Sequence, residues 1–188
     1  MERNINRIIL VLVTIGANIG LDQWTKMWAR QELQFAPPRS YWNDFFRLLY
    51  VENKGAFLSL GSELPEGLRV VLLHVFPVVL LGALMVYAMF SRALNRWQII
   101  GMSFIIGGGI SNVVDRIMMG QVTDFMNMGL FGIRTGIFNF ADVSIMLGLA
   151  IMLPFAFRKE DQATTTSVST SAAVEKGEPQ EQTKHNDA

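Results

Sequence analysis

The fold is decided by residues 96–116, RWQIIGMSFIIGGGISNVVDR. Between Arg96 and Asp115 this stretch carries no charge. An apolar run of about 18 residues or more without charges is typical of a transmembrane helix. Gly101 and the three glycines at 107–109 leave room for another helix to approach closely. The stretch therefore predicts a membrane helix that packs tightly against its neighbours.

Three further apolar segments have the same character, at residues 8–21, 70–91 and 135–157. A membrane helix needs about 20 residues, so the first is expected to extend past one or both of its charged ends. Asp22 and Lys26 follow it where a small-residue cleavage site would be expected, which favours an uncleaved anchor over a signal peptide. The chain is predicted to be a membrane all-α protein with four transmembrane helices.

Composition separates an apolar body from a polar end. Charged side chains make up 17% of the 188 residues, against about 25% in soluble domains, and the mean hydropathy is +0.30. Residues 159–188 contain no Leu, Ile, Met or aromatic side chain and are predicted to be a disordered cytoplasmic tail. Residues 1–158 form the predicted membrane domain. The absence of cysteine excludes disulfides and thiol nucleophiles, and no motif indicates a nucleic acid partner.

The charged residues at the helix ends predict the orientation in the membrane. One set of ends is basic: Arg3, Arg7, Arg92, Arg96, Arg158 and Lys159. Because basic residues flank the cytoplasmic ends of membrane helices, both termini are predicted to be cytoplasmic. Residues 45–52 are aromatic and β-prone and precede a turn signal at 53–55. A small extracytoplasmic β element is therefore predicted between helices one and two, at about 40–60.

The titratable residues restrict the chemistry. His74 is the single histidine of the membrane domain, which leaves a histidine metal site or a Ser-His-Asp triad without partners. A serine–lysine pair using Lys26 or Lys54 remains open. Charged groups at membrane depth are costly and usually functional, and four aspartates fall at or between the outer helix ends: Asp22, Asp115, Asp124 and Asp142.

Spacing alone leaves the roles of Asp124 and Asp142 open. If a loop brings them together they would share a proton, with one carboxylate activating water and the other acid protonating a carbonyl oxygen, as in aspartic proteases. In the alternative, Asp142 caps helix four, Asp124 caps a turn, and Asp115 pairs with Arg116 or a nearby loop. The same carboxylates would also suit a proton relay in a membrane carrier or channel subunit.

Five short motifs occur in order along the chain: DQWTK at 22–26, NKGAF at 53–57, GGGISNVVDR at 107–116, VTDF at 122–125 and FNFAD at 138–142. In order and spacing they resemble the motifs of the bacterial lipoprotein signal peptidases, signal peptidase II, over residues 5–157. The resemblance implies an aspartic endopeptidase whose catalytic pair is Asp124 and Asp142. It also implies two supporting sets: Asn53, Asn112, Arg116 and Asn139 to bind the substrate or orient the pair, and Asp22, Lys26 and Asp115 to hold the helix ends.

The resemblance further implies a location and a substrate. Such an enzyme lies in the bacterial inner (cytoplasmic) membrane with its active site near the outer face. It cleaves diacylglyceryl-modified prolipoproteins on the N-terminal side of the lipidated cysteine. Membrane lipids as neighbours, no cofactor, no metal and a monomeric state are the remaining expectations. A non-catalytic lipoprotein-binding paralogue is the other alternative, and the presence of all five motifs argues against it.

Overall fold

The computed structural model of the protein describes residues 2–55, 61 and 64–157, and the tail predicted at 159–188 lies outside them. Helices and strands follow each other in a simple order. The helices are α1 (Glu2–Glu32), α2 (Glu66–Phe90), α3 (Arg96–Met119) and α4 (Phe140–Ala156). The strands are β1 (Arg39–Tyr41), β2 (Phe46–Asn53), β3 (Val122–Leu130) and β4 (Ile133–Arg134).

Among the described residues, three helices are long and apolar enough to cross a membrane: α1, α2 and α3. The apolar run 8–21 was predicted to be too short for a membrane helix by itself. Helix α1 extends beyond the charged residues at both ends of this run, as predicted. In α2 a π-helical turn, Val71–Val75, ends two residues before Pro77. Proline lacks an N–H and crowds the preceding turn, and a local widening of the helix accommodates it.

Helix α3 lies at the centre of the bundle. A Cβ on Gly107 would stand 3.3 Å from the backbone of Ile15 in α1, and one on Gly108 would clash with the carbonyl oxygen of Ala141 in α4. The close helix approach predicted from these glycines is confirmed. Beside this contact, α1, α2 and α3 bury a shared apolar core: Val11, Ile15, Ala88, Ile99, Met102 and Ile106.

Both ends of α3 are set by local sequence. Asn95 and Gln98 form a capping box, in which each side chain accepts a hydrogen bond from the other residue's backbone N–H. Gly120 ends the helix at φ 74°, a left-handed conformation that glycine adopts without a Cβ clash. Asp115 and Arg116 are thereby placed near the final turn, next to the strand that follows.

The four strands form one antiparallel sheet in the order β1-β2-β3-β4. The prediction of a β element between the first two helices covered only half of it, because β3 and β4 lie between α3 and α4. Strand β3 is buried from Val122 to Asn127 and includes Asp124. A strand buried on both faces shows no alternation of polar and apolar residues, which is why the sequence indicated a loop there.

The last apolar segment, 135–157, begins before the helix that it contains. Helix α4 begins at Phe140, not Thr135. Phe138 instead exchanges backbone hydrogen bonds with Met126 of β3, at 2.8 and 2.9 Å. The apolar residues before the helix therefore extend the sheet contact and bring Asn139 and the first turn of α4 against β3.

Candidate active site

Asp124 lies on β3, where its side chain is only 4% exposed. Both carboxylate oxygens accept hydrogen bonds from amide side chains, from Asn53 Nδ2 at 2.9 Å and from Asn139 Nδ2 at 2.7 Å. Burial raises the pKa of Asp124 to about 6 from an ordinary 3.8, and the nearby Asp142 carboxylate adds to the rise, while the two amide hydrogen bonds oppose it.

Asp142 lies in the first turn of α4 and is joined to the same network. Its Oδ2 accepts a hydrogen bond from the Asn139 backbone N–H at 3.1 Å, and Asn139 Oδ1 accepts one from the Asp142 N–H at 3.0 Å. This reciprocal pair caps the helix, so the capping alternative for Asp142 is confirmed. The capping residue also contacts Asp124, and the cap is therefore part of the link between the two aspartates.

Asn112 on α3 completes the link. Its Oδ1 accepts hydrogen bonds from Lys26 Nζ at 2.8 Å and from Asn139 Nδ2 at 3.2 Å. Because these two donors occupy the oxygen, the Asn112 amide nitrogen faces the other way and donates to Asp142 Oδ1 at 3.0 Å. The amide orientation is thus fixed from outside the aspartate pair.

Lys26 is fully buried and has two carboxylate partners, Asp22 at 2.6 Å and Asp115 at 2.7 Å. With Asn112 these make three acceptors for the three protons of its ammonium group. The alternative pairing of Asp115 with Arg116 is wrong, because α1 supplies the partner. Lys26 is also unsuited to act as the base of a serine–lysine pair, since its charge is held between two carboxylates.

Arg116 binds backbone carbonyls. Its guanidinium donates to the Asn112 oxygen at 3.1 Å and to the Gly55 oxygen at 2.8 Å, and within the described residues it makes no ion pair. Gly55 in turn donates its N–H to Asn53 Oδ1 at 2.9 Å, which forms the turn predicted after β2. Arg116 therefore holds the turn that carries Asn53 beside Asp124.

A cleft of about 470 Å³ lies next to Asp124, between the sheet and the segment that leads to α4. Asn53, Asp124 and Asn127 are among its polar lining residues, and Leu49 and Val51 are among its apolar ones. It therefore has room for a short extended peptide segment beside a buried carboxylate.

Four residues in this network were not among the predicted site residues: Gln23, Arg30, Ser111 and Thr123. The Ser111 hydroxyl donates to Asp22 Oδ2 at 2.8 Å, Gln23 Nε2 donates to Asp115 Oδ1 at 2.8 Å, and Arg30 Nε donates to Thr123 Oγ1 at 3.1 Å. The helical spacing of the polar residues at 22, 23, 26 and 30 marks one face of α1 and was the available signal.

Comparison with known proteins points to one family. The family model described as signal peptidase (SPase) II matches residues 14–158. A lipoprotein signal peptidase of Gloeobacter violaceus is 35% identical over 144 residues, covering 77% of this chain and 79% of that protein. The lipoprotein signal peptidase of Borrelia turicatae is 29% identical over 170 residues, covering 87% of this chain and 99% of its own length.

The fold also matches a solved structure. This structure, described as a bacterial membrane enzyme determined by the in meso method at 2.3 Å resolution, has a TM-score of 0.69. The match covers 81% of this chain and 93% of the other, at 21% sequence identity. At that identity the likeness concerns the arrangement of helices and strands.

Proposed function

The chain belongs to the signal peptidase II family, and on that premise we propose that it is an aspartic endopeptidase acting on lipid-modified prolipoproteins. The bond cleaved lies on the N-terminal side of a diacylglyceryl-modified cysteine. One observation carries the assignment of the catalytic pair: a single residue, Asn139, donates hydrogen bonds to both carboxylates, from its side-chain amide to Asp124 and from its backbone N–H to Asp142.

The reaction needs one carboxylate and one carboxylic acid. Burial and mutual repulsion disfavour two negative charges on the pair Asp124 and Asp142, so the pair is proposed to react with one proton shared between them. The ionised member takes a proton from water as the water oxygen bonds to the scissile carbonyl carbon. The protonated member donates its proton to the carbonyl oxygen. Collapse of the tetrahedral intermediate breaks the C–N bond. The aspartate that took the proton from water gives it to the leaving nitrogen, and the other aspartate takes a proton back from a hydroxyl of the intermediate.

The surrounding residues position this pair. We assign substrate-binding or orienting roles to four residues that contact it directly or hold the turn beside it: Asn53, Asn112, Arg116 and Asn139. Amide groups donate hydrogen bonds without adding a charge to the site. Asp22, Lys26 and Asp115 join α1 to α3 through buried ion pairs and support the outer ends of the helices.

We propose four spans, with residues 1–158 as the membrane domain and 159–188 as a cytoplasmic tail. Helix α4 has 17 residues, at the lower end of the usual range for a span. Arg7 and Arg96 lie near the starts of α1 and α3, and Lys26 and Asp115 near their ends. With the arginines in the cytoplasm, the aspartate pair lies near the outer face of the inner membrane. The proposed enzyme acts as a monomer among membrane lipids.

A gel-shift cleavage assay tests the proposal. The purified protein in detergent is incubated with a diacylglyceryl-modified prolipoprotein, in parallel with Asp124→Asn and Asp142→Asn. We expect the parent to cleave and neither variant to do so, because an amide cannot accept the proton of water. Glu52→Gln is the matched control, since Glu52 is an exposed carboxylate on β2 opposite Thr123, and it should cleave like the parent.

Cleavage by either aspartate variant at the parental rate contradicts the assigned pair. If the folded parent leaves the substrate intact, the peptidase proposal itself fails. Proton flux in liposomes then tests the carrier alternative, which would use the same carboxylates.

A further inference from the structure

A second cleft, of about 990 Å³, lies at the other end of the helix bundle. Arg7 and Lys26 are about 28 Å apart along α1 at 1.5 Å per residue, which separates this cleft from the aspartate pair. The first turns of α1, the end of α2 and the start of α3 form its walls. Its basic lining residues are Arg7, Arg92 and Arg96, and its apolar ones are Ile9, Leu10, Val13, Phe90, Leu94 and Ile99.

The positive charge of this cleft is not compensated by its lining. Among the lining residues that the structure describes there is no carboxylate, and none of the ion pairs of the described part of the chain involves Arg7, Arg92 or Arg96. Three guanidinium groups therefore share one concave surface. Like charges gathered in this way repel each other, and an anion bound among them relieves the repulsion.

The guanidinium group of Arg7 has one hydrogen-bond acceptor and one unpaired donor nitrogen among the described residues. Its Nε donates to the Ala88 carbonyl oxygen in the last turn of α2 at 2.8 Å, which fixes the plane of the guanidinium. Its Nη2 is buried and has no hydrogen-bond partner among the residues that the structure describes. A buried donor without a partner is unfavourable, so an acceptor at this position is favoured. The Nε contact is explained by capping of the C-terminal end of α2. Capping does not explain why Nη2 is buried without a partner.

We propose that this cleft binds an anionic phospholipid, with Arg7, Arg92 and Arg96 holding its phosphate. The planar guanidinium fork matches phosphate oxygens in pairs. The apolar wall continues from the arginines along α1 and α3, where an acyl chain of the same molecule would lie. Basic pockets between membrane helices at this depth suit acidic headgroups. If these arginines served only to orient the protein in the membrane, they would not need to line one cavity.

Binding is measured on the purified full-length protein in neutral detergent from its apparent Tm. The probes are dihexanoyl phosphatidylglycerol, dihexanoyl phosphatidylcholine and sodium phosphate, each titrated separately. A ligand that binds the folded state raises Tm in a concentration-dependent way, which gives an apparent Kd. We expect phosphatidylglycerol to raise Tm at concentrations where the other two probes do not.

The double variant Arg92→Gln/Arg96→Gln should bind phosphatidylglycerol about 25-fold more weakly, or about fivefold per arginine. Both side chains are exposed, so the fold should survive. The matched control is Arg39→Gln/Arg69→Gln, which removes the same charge outside the cleft and should change Kd less than twofold. As a second test, Arg7→Lys keeps the charge but loses the fork, and should bind severalfold more weakly.

Three results overturn the proposal. An equal effect of phosphatidylcholine means that the headgroup charge is not recognised. An equal effect of free phosphate at the same concentration means that the cleft takes a phosphate ion and not a lipid. Parental affinity in the cleft variant, or an equal loss in the control, means that binding does not depend on these arginines.

Discussion

The buried carboxylate of Asp124 should make the protein less stable at high pH, and Asp124→Asn should remove most of this effect. The pKa of Asp124 is raised to about 6 in the folded protein from an ordinary 3.8. The unfolded state therefore binds fewer protons than the folded state between these values, and stability falls as pH rises through about 6. At about 1.4 kcal/mol per pKa unit, the folded carboxylate costs about 3 kcal/mol at pH 8.

The asparagine variant does not recover this full amount. Both oxygens of Asp124 accept hydrogen bonds, from Asn53 and Asn139, and an amide at this position has only one oxygen. One hydrogen bond is lost, at a cost of about 1 kcal/mol. The net gain at pH 8 is then about 2 kcal/mol, which corresponds to a rise in Tm of roughly 4–8 °C for a protein of this size.

Thermal unfolding in detergent at pH 4 and at pH 8 provides the measurement. The parent should lose stability between the two, and the variant should show a flatter dependence and a higher Tm at pH 8. Glu52→Gln, which alters an exposed carboxylate on the neighbouring strand, controls for general charge effects. If the parent and Asp124→Asn melt at the same temperature at pH 8, the reasoning that burial penalises this carboxylate is wrong.

Three further predictions concern the support of the site. Lys26→Met removes the cation between Asp22 and Asp115, leaving Asp115 only the longer contact with Arg30, and should lower the unfolding free energy by about 3 kcal/mol, seen as a large drop in Tm. Gly108→Ala should cost about 1–3 kcal/mol by forcing α3 from α4, whereas Gly16→Ala, with open space around it, should leave Tm unchanged or higher. Arg116→Lys keeps the charge but cannot bind both carbonyls, so substrate KM should rise while Tm changes little. An unchanged KM contradicts the role given to the Gly55 contact.

The helices were predictable because their signals are local. Apolar runs between charged residues mark α1, α2 and α3, and the glycines at 107–109 mark the close packing of α3. The second half of the sheet was not predictable in this way. Val51 and Asp124 are neighbours on β2 and β3, far apart in sequence, and the buried strand β3 has no periodic pattern.

The site shows the same division. The cost of charged groups at membrane depth pointed to four aspartates. The resemblance to a family pointed to Asp124 and Asp142 among them. Spacing could not distinguish a helix cap from a paired carboxylate. The structure shows the cap at Asp142, and the pairing with Asp124 stays a proposal that the shared contacts of Asn139 support. Similarly, the partner of Asp115 is Lys26 on another helix, which no local pattern identifies.

The ion pair within α1 bears on how the protein is made. Asp22 and Lys26 are one helical turn apart, with their charged groups 2.6 Å from each other, so they neutralise each other as soon as α1 forms. Because the N-terminus is synthesised first, this pair can close before α3 is made. Asp115 is added later, when α3 arrives beside a cation that is already in place. The order of translation thus matches the order in which the charges need partners.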